Sequence, residues 1–432
     1  MIKEEVAVFW FRRDLRLTDN TGLHHALKGG VPVLPIFIFD TDILDRLEDR
    51  NDRRVDYIHQ AICAINEELK RYGTTLSVYQ GKVMDIFEDL HASYRIQGVY
   101  CNRDYEPQAI QRDTAVFRYF EEKEISFKAY KDQVIFDKGN IVKSNGEPYT
   151  VYTPYATKWK QTLQESHYAE VNLELDNFFR QPFMPVLALA DLSFGKTDIT
   201  YVEPTLDRRI IETYDATRDF PAIKGTTNLS IALRFGTISI RKCVSFALQY
   251  NQTWLSELIW REFFMQILYH FPHVENHAFK EKYDRIAWRN EENLFKFWCE
   301  GKTGYPMVDA GMRELNTTGF MHNRVRMVVA SFLCKHLLID WRWGEAYFAA
   351  KLNDYELSAN NGNWQWAAGC GCDAAPYFRV FNPTLQKERF DKEGIYIKRW
   401  VPEWGTAAYP DPIVDHKEAS KRAVAVYSLA VK

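Results

Sequence analysis

The sequence predicts an α/β domain with a doubly wound parallel sheet, joined by a long linker to an all-helical domain. Short apolar runs alternate with helical patterns over the first third of the chain, which is typical of a parallel sheet covered by helices. An irregular segment rich in Pro, Tyr and Gly follows, and beyond it strand patterns stop while helical patterns continue. We expect the α/β domain at 1–135, the linker at 136–205 and the helical domain at 206–432.

The individual elements follow from apolar runs, helical spacing and proline. Ile58, Ile62, Ile65 and Leu69 recur at helical spacing, and Pro107 opens a helix at a position where proline is tolerated. Strands are predicted at 6–11, 31–39, 75–81 and 98–102, and "FKAYKDQVIF" follows at 127–136. Helices are predicted at 53–72, 83–94, 107–121, 207–215, 236–250, 253–270, 305–316, 321–338 and 343–352.

The composition excludes several classes of protein. With 46% hydrophobic and 26% charged residues the chain reads as soluble and globular, and no apolar stretch is long enough to predict a membrane span. Acidic residues interrupt "MIKEEVAVFWFRRD" early, so no signal peptide is expected. Seven scattered cysteines, with one close pair at Cys370 and Cys372, predict neither a disulfide framework nor a zinc site, and therefore a reducing cytoplasm. A net charge of −3 leaves room for a local basic groove.

Tryptophan is concentrated in the C-terminal part, where ten of the twelve lie at or beyond Trp254. This distribution indicates either a large aromatic core or a region that binds something planar. No G-x-G-x-x-G pattern supports a dinucleotide fingerprint. Lys302 and Thr303 in "EGKTGYP" mimic the end of a phosphate loop, but Lys296 stands where that loop requires glycine.

Two segments place polar residues beside apolar helical runs. In "GTTNLSIALRFG" (225–236), Thr, Asn and Ser precede a helix whose free N–H groups would suit a phosphate, with an ordinary N-cap as the alternative. In "WLSELIWREFF" (254–264), Glu257, Trp260 and Phe264 share one helix face. Glu257 would be costly to bury among aromatics unless it binds something, and a solvated Glu at the edge of the core is the alternative.

A third segment, "FMHNRVRMVVASF" (320–332), places Asn323 and Met327 on one face, flanked by Arg324 and Arg326. The apolar run that follows indicates burial, so at least one of these arginines needs a carboxylate partner. One of the two acidic residues in "NDYELSANN" could supply it, and a surface helix with solvated arginines is the alternative.

A fourth segment, "NNGNWQWAAGCGCDAAPYFRVFNP" (360–383), carries Trp364 and Trp366 two residues apart, a spacing that no helical heptad or strand alternation requires. Neighbours in a strand, or residues two apart in a turn, can point to opposite sides, so the pair could serve two different sites.

Together these segments resemble the photolyase/cryptochrome family, and most closely its class I cyclobutane pyrimidine dimer DNA photolyases. The resemblance extends over nearly the whole chain, through "FWFRRDLRLTDN", "TRDFPAIKGTTNLS", "SELIWREFF", "EGKTGYPMVDAGMRELNTTGFMHNRVRM", "DWRWGE" and the segment at 360–383. It implies an all-helical FAD-binding domain and an enzyme, a carbon–carbon lyase, that repairs cyclobutane dimers in UV-damaged DNA under light. Excited reduced FAD would transfer an electron to a dimer flipped out of the duplex.

The resemblance also implies roles for individual residues. Around the lesion, Trp260 and Trp366 would form two aromatic walls. Glu257 and Asn323 would make polar contacts to the dimer, and Met327 would form the floor of the pocket. The FAD would be held by Tyr214, Thr226, Thr227, Asn228, Leu229, Ser230, Trp254, Phe320, Arg326, Asp354, Tyr355, Glu356 and Asn360.

Electron transfer and DNA binding are implied in the same way. Trp364 would begin a chain for electron hopping that continues through Trp341 and Trp288 to the surface. The family commonly has Trp in place of Phe320 and Asp in place of Glu356. Contacts to DNA phosphates near the lesion, without sequence readout, are implied for Arg218, Arg324, Arg379 and Gln386.

The sequence is compatible with several alternatives. The family's folate contact uses Asn-Glu where "YEPQA" has Gln108 and Ala109, so a second, antenna chromophore is possible but of unknown identity. A cryptochrome-type blue-light photoreceptor without repair activity is the main alternative, although such receptors often carry long C-terminal extensions. Repair of the (6-4) photoproduct would need a histidine pair where Asn323 and Met327 stand. A non-enzymatic flavin module would not explain the lesion residues. We expect a monomer without membrane association.

Overall fold

The computed structural model describes residues 3–432, which form two compact units. The first contains the chain up to Asn140, then Gln161–Leu206 and Leu229–Gln249. The second contains Ile141–Lys160, Asp207–Asn228 and Tyr250–Lys432. The three-part division at 1–135, 136–205 and 206–432 stays a prediction.

The described residues contain one five-stranded sheet, in the first unit, and twenty α-helices. The strands are β1 Glu5–Phe11, β2 Val33–Asp40, β3 Ser77–Gly81, β4 Arg95–Asn102 and β5 Ser126–Tyr130. The helices are α1 Thr21–Leu27, α2 Thr41–Leu44, α3 Arg53–Leu69, α4 Val83–Ser93, α5 Pro107–Glu121, α6 Tyr152–Thr162, α7 Glu165–Tyr168, α8 Arg208–Glu212, α9 Tyr214–Thr217, α10 Ser230–Phe235, α11 Ile240–Tyr250, α12 Gln252–His270, α13 Glu292–Glu300, α14 Pro306–Thr318, α15 Asn323–Ser331, α16 Trp341–Lys351, α17 Leu357–Ala368, α18 Pro383–Phe390, α19 Ile395–Trp400 and α20 His416–Val431.

The sheet is parallel throughout, in the order β3-β2-β1-β4-β5, and helices cover both of its faces. Along β1, Val6, Val8 and Trp10 pack with α4 and α5, whereas Phe9 and Phe11 pack with α1 and α3. Strands buried on both faces read as continuous apolar runs, which is why these strands were visible in the sequence. The predicted doubly wound α/β domain followed by a helical region is confirmed.

A buried ionic cluster anchors the turn after β1. Arg16 Nη2 lies 2.5 Å from Asp132 Oδ2, and Arg241 of α11 donates to Asp19 Oδ1 and Asp132 Oδ1 at 2.8 Å each. Burial alone would raise the pKa of Asp132, but the two guanidinium groups lower it to about 2. Loss of one partner would leave a buried charge uncompensated, which costs about 3–5 kcal/mol. Much of the "FRRDLRLTDN" motif therefore serves the stability of the first unit.

The second unit is a helical bundle around an aromatic core that contains the fully buried Trp298. Two glycines allow close helix approach. A Cβ at Gly362 of α17 would lie 2.1 Å from Phe264 Cδ1 of α12, and one at Gly344 of α16 would lie 2.1 Å from Trp364 Cη2. Only glycine leaves room for these rings, so α12 and α16 both pack directly on α17. Among residues 3–432, no helix is long and apolar enough to cross a membrane.

Candidate active site

The second unit contains a cleft of about 590 Å³, its open mouth included, formed mainly by α15, α17 and the loop before α17. Nine residues predicted from the sequence line it, namely Asn323, Arg326, Met327, Asp354, Tyr355, Glu356, Asn360, Trp364 and Trp366. Its apolar lining comes from Ala330, Phe348, Leu352, Ala359 and Ala367. The cleft therefore joins residues that were predicted for the lesion with residues that were predicted for the flavin.

The two tryptophans of "WQW" lie on helix α17, so their predicted placement in a strand or a turn is wrong. Successive helical residues are about 100° apart, and two residues span about 200°, so the side chains still diverge. Trp364 is buried against Phe348 at 5.0 Å and Trp298 at 6.1 Å between ring centroids. Trp366 is half-buried and lies 6.4 Å from the ring of Phe381.

Buried amide side chains hid this helix from the sequence analysis. Asn361 and Gln365 are almost fully buried, and each donates to the carbonyl of Val274, at 2.8 and 2.9 Å. Gln365 also accepts a hydrogen bond from the N–H of Phe279 at 2.8 Å. The helix thus binds the 274–279 segment through polar groups where an ordinary helix would carry apolar ones, and hydrophobic periodicity cannot detect it.

The predicted pairing of an arginine with a buried carboxylate is present. Arg326 Nη2 donates to both carboxylate oxygens of Asp354, at 2.9 and 3.2 Å, and its Nε donates to the carbonyl of Met321 at 2.7 Å. The other candidate, Glu356, is 5% exposed and accepts instead from Arg261 at 3.1 Å. The cleft edge is therefore held by two separate ion pairs.

Asn360 is oriented by a residue that the sequence analysis missed. Its Nδ2 donates to Glu345 Oε1 at 2.8 Å and to the Glu345 carbonyl at 3.1 Å. Burial raises the pKa of the Glu345 carboxyl, and the hydrogen bond from Asn360 opposes that rise. Glu345 ends the motif "DWRWGE", but its separation from Asn360 in sequence offers no local signal of contact.

Glu257 belongs to a charged network that extends beyond the cleft lining. Arg218 Nη1 donates to Glu257 Oε1, and Arg218 lies 3.9 Å from Asp219. Asp219 in turn accepts from Arg324 Nη2 at 2.7 Å, and Arg324 Nη1 lies 3.7 Å from the sulfur of Met327. Asp219 was missed because its hydrogen bond comes from Arg324, which is distant in the chain. The structure thus pairs a residue predicted for the dimer with one predicted for DNA phosphates.

Burial governs the protonation of this region. It raises the pKa of Glu257, while the neighbouring Arg218 acts in the opposite direction. Burial also raises the pKa of Tyr214, helped by the charge of Glu257. His322 has a pKa lowered to about 4, first by burial and then by Arg326, and its Nδ1 accepts from the N–H of Arg324 at 3.2 Å. A neutral carboxylic acid is thus favoured at Glu257 more than at an exposed glutamate.

Trp260 lies one turn beyond Glu257 on α12, and within the described chain neither residue is part of the cleft lining given above. The indole stacks on Tyr152 with ring centroids 3.6 Å apart and planes 5° from parallel. Phe264 contacts it at 5.5 Å and 29°. Tyr152 comes from the segment that the sequence analysis treated as a linker, and nothing in its local sequence indicated this contact.

The predicted FAD-phosphate residues fall on either side of the division between the units. Thr226, Thr227 and Asn228 belong to the second, where Thr226 Oγ1 lies 3.2 Å from Asn228 Oδ1. Leu229 and Ser230 belong to the first, where Ser230 begins α10 and its N-cap residue, Leu229, makes no side-chain cap hydrogen bond. The alternative of an ordinary side-chain N-cap is therefore wrong, and the phosphate role stays a prediction.

The remaining predicted residues are placed as follows. Trp254 is buried at the start of α12, Phe320 lies 5.7 Å from the guanidinium carbon of Arg326, and Tyr214 begins α9. Trp341 is buried at the start of α16, and the half-buried Trp288 lies edge-on to Tyr427 at 5.8 Å. Arg379 is exposed in the 369–382 loop, and Gln386 lies on α18.

The cleft fits the flavin ring of FAD by its chemistry. A planar heterocycle needs an apolar surface with a few fixed polar groups at its edge. The alanines, Phe348 and Leu352 supply the first, and the Arg326–Asp354 pair and the amide of Asn360 supply the second. These three polar residues would hold the ring.

Comparisons with known proteins agree with this assignment. The family profile described as DNA photolyase matches residues 7–173, and that described as FAD binding domain of DNA photolyase matches residues 254–407, which include the whole cleft lining. The chain is 36% identical to the deoxyribodipyrimidine photo-lyase of Vibrio cholerae, over 98% of this chain and 99% of that protein. It is 35% identical to the protein of the same name from Escherichia coli, over 98% of each. These relatives are lyases by name.

Solved structures give the same result. A bacterial class III photolyase from Agrobacterium tumefaciens is similar with a TM-score of 0.87 at 32% identity, over 100% of this chain and 98% of that one. An archaeal photolyase from Sulfolobus tokodaii, solved with two FAD molecules, has a TM-score of 0.86 at 35% identity, over 98% and 100%. A Synechocystis cryptochrome at 23% identity and a TM-score of 0.86, over 99% and 100%, shares the fold. The predicted family, its FAD cofactor and its lyase class are confirmed: this chain belongs to the DNA photolyase family.

Proposed function

We propose that this protein repairs cyclobutane pyrimidine dimers in DNA under blue light. The observation that carries the proposal is the cleft, in which Asn323, Met327 and Trp366 stand beside Arg326 and Asn360. When bound, FAD supplies light-driven electron transfer to the lesion. The residues of the chain bind the flipped dimer, orient it and stabilise the charge that it acquires.

Aromatic planes would compensate the dimer for the base stacking that it loses on leaving the duplex. Trp366 offers a half-buried indole at the cleft, and Trp260 offers a second one on α12. Stacking of a base on an aromatic side chain is worth about 1–3 kcal/mol. Met327 adds an apolar surface that adapts to the shape of the fused ring. A damaged base pair is also less costly to flip out than an intact one, which favours the lesion over normal DNA.

Glu257 and Asn323 would make the polar contacts to the dimer. Asn323 is exposed at the cleft, where its amide can donate to a pyrimidine carbonyl oxygen and accept from a ring N–H. Burial raises the pKa of Glu257, which favours the protonated acid as a donor. A donor aimed at a carbonyl oxygen strengthens as negative charge develops there, so such a carboxyl assists ring opening more than binding.

DNA phosphates would be held by Arg218, Arg324, Arg379 and Gln386. Arg379 is exposed in its loop, whereas Arg218 and Arg324 are partly buried and joined to Asp219. Phosphate contacts position the strand without reading its sequence and weaken with salt. A few local cations of this kind are compatible with the net charge of −3.

Repair of the (6-4) photoproduct and light sensing without repair are the competing functions. The cleft presents Asn323 and Met327 where the first would need two histidines, and the single neighbouring histidine, His322, caps α15 through its Nδ1. A cytoplasmic location and a monomeric state of the protein stay predictions. Size-exclusion chromatography with light scattering tests whether the protein is a monomer.

The decisive experiment is a repair assay on one defined lesion. Purified, chemically reduced protein is mixed with an oligonucleotide that carries a single thymine cyclobutane dimer, and recovery of base absorbance is followed under blue light. We expect recovery in light only, with a dark sample and a (6-4) oligonucleotide as controls. No recovery by protein with full FAD content would reject the proposal and favour a photoreceptor.

A further inference from the structure

One face of Trp260 is already occupied in the protein itself. The phenol ring of Tyr152, at the first position of α6, lies parallel to the indole at a centroid distance of 3.6 Å. At this separation the two rings are in direct van der Waals contact, with no room for another ring between them. A pyrimidine therefore cannot stack on this face unless Tyr152 leaves it.

Tyr152 is tied to the same turn of α12 that carries Trp260. Its hydroxyl donates to the carbonyl of Ser256 at 2.9 Å, and in an α-helix that carbonyl also accepts the backbone N–H of residue 260. The backbone N–H of Tyr152 donates to Asp373 Oδ2 at 3.1 Å. Its ring meets Phe263 edge-on at 5.9 Å and 77°. Contacts on three sides thus hold the phenol in one orientation.

We propose that Tyr152 is a positioning residue for damage recognition, a role that rests on the proposed function. It fixes the plane of the Trp260 indole, which is the wall that a flipped pyrimidine would contact. Trp260 is only half-buried, so without Tyr152 its side chain could adopt other rotamers, and binding a base would then require it to be ordered. A wall that is ordered before DNA arrives lowers the cost of binding a flipped base, and a damaged base is the one that flips out most readily.

The chemistry of the phenol suits this role. Burial raises the pKa of Tyr152 to about 12, with the charge of Glu257 contributing and Arg218 opposing, so the ring is neutral at physiological pH. A neutral plane supports the indole without perturbing the ion pair of Glu257 and Arg218. If Tyr152 instead occupied the position in which the flipped pyrimidine stacks, it would inhibit binding of the lesion.

Three variants separate these roles. Tyr152→Leu removes the plane, and Tyr152→Phe keeps the plane but loses the hydrogen bond to Ser256. Tyr149→Leu is the matched control, because Tyr149 lies in the same segment and meets Tyr155 edge-on at 6.4 Å and 74°. Thermal stability and FAD content are measured first, so that loss of folding is recognised. The main readout is the ratio of affinities for a dimer-containing and an undamaged single-stranded oligonucleotide.

We expect Tyr152→Leu to lower this ratio about two- to tenfold, as the loss of one stacked aromatic pair implies. Tyr152→Phe should stay close to the wild type, and Tyr149→Leu should match it. In a Trp260→Leu background, Tyr152→Leu should have no further effect, because it acts through the indole. An unchanged or raised ratio for Tyr152→Leu, or additive losses in the double variant, would overturn the proposal.

A crystal structure of Tyr152→Leu without DNA tests the same inference independently of repair. We expect the Trp260 indole to occupy more than one rotamer, and a single unchanged rotamer would contradict the positioning role. If the wild type showed no preference for dimers while the indole became disordered in the variant, the proposed function alone would fail.

Discussion

Arg218 and Glu257 form an ion pair in the second unit, with the guanidinium Nη1 donating to the carboxylate Oε1. The two residues were predicted for different tasks, one for DNA phosphates and the other for the dimer. Their contact means that a phosphate drawing Arg218 away would change the protonation of Glu257. Asp219, His322 and the tyrosines at 152 and 214 are among the other ionisable groups coupled electrostatically to this pair.

Arg218→Ala should move the pH dependence of repair to higher pH. Burial raises the pKa of Glu257 and Arg218 opposes that rise, so removing the cation raises the pKa further. The acid form is the donor, and repair by chemically reduced protein therefore falls as pH rises through this pKa. Repair yield per absorbed photon, measured against pH with DNA in excess, should decline later in the variant. Arg379→Ala, which removes a predicted phosphate contact elsewhere, should not shift the profile.

Glu257→Gln and Glu257→Ala should separate hydrogen bonding from charge. The amide of Gln still donates, so we expect most of the splitting rate to remain, without the pH dependence of the wild type. Ala removes the donor, and a hydrogen bond to a developing charge is worth about 1.5–3 kcal/mol, so splitting should slow about tenfold or more. Transient absorption after a light pulse measures the rate, and the absorbance of the bound flavin checks FAD content. Equal rates in Ala and wild type would contradict the donor role.

Trp364→Phe should abolish photoreduction of oxidised FAD while repair by chemically reduced protein continues. The structure offers a second path for the electron, because the ring centroids of Trp364 and Trp298 lie 6.1 Å apart. The sequence instead predicts Trp341 as the next member of the electron-transfer chain. We expect Trp341→Phe to slow photoreduction and Trp298→Phe to leave it nearly unchanged. Absorbance changes under blue light with an external reductant measure both. The reverse order of effects would redirect the chain through Trp298.

The protein should lose stability in mild acid because of buried neutral histidines. Burial lowers the pKa of His336 to about 3, and its Nε2 lies 2.9 Å from His416 Nδ1, beside Phe332 and Tyr305. The unfolded chain binds this proton near pH 6.5, so stability falls as pH drops below that value, by about 2 kcal/mol at pH 5. His336→Phe should therefore show a smaller drop in Tm between pH 7 and pH 5 than the wild type.

The exposed His277 provides the control for this experiment, since its side chain is 66% exposed. Substituting His277→Phe should change the pH dependence of Tm less than His336→Phe does. A wild-type slope that persists in His336→Phe would mean that other groups, such as His322 with its pKa of about 4, dominate the acid response.

The parallel sheet could be predicted because the residue patterns that specify its strands and helices are local in the sequence. Strands such as β1 and β2 are buried on both faces, so they appear as uninterrupted apolar runs, and the helices between them carry regular spacing. Helix α17 could not be recognised in this way, because Asn361 and Gln365 replace the apolar residues of its buried face. A buried amide is stable only when distant groups satisfy it, and those groups are not visible in the neighbouring sequence.

The sequence by itself determined the family and the identity of most candidate site residues, because motif residues keep their order and type along the chain. The tertiary structure alone decided their partners: Arg326 pairs with Asp354 while Glu356 pairs with Arg261, Asn360 binds Glu345, Arg218 binds Glu257, and Tyr152 stacks on Trp260. Each of these contacts joins residues that are at least fifteen positions apart in the printed sequence. Charge pairing and ring stacking act over a few ångströms, and only the folded chain determines which groups come that close.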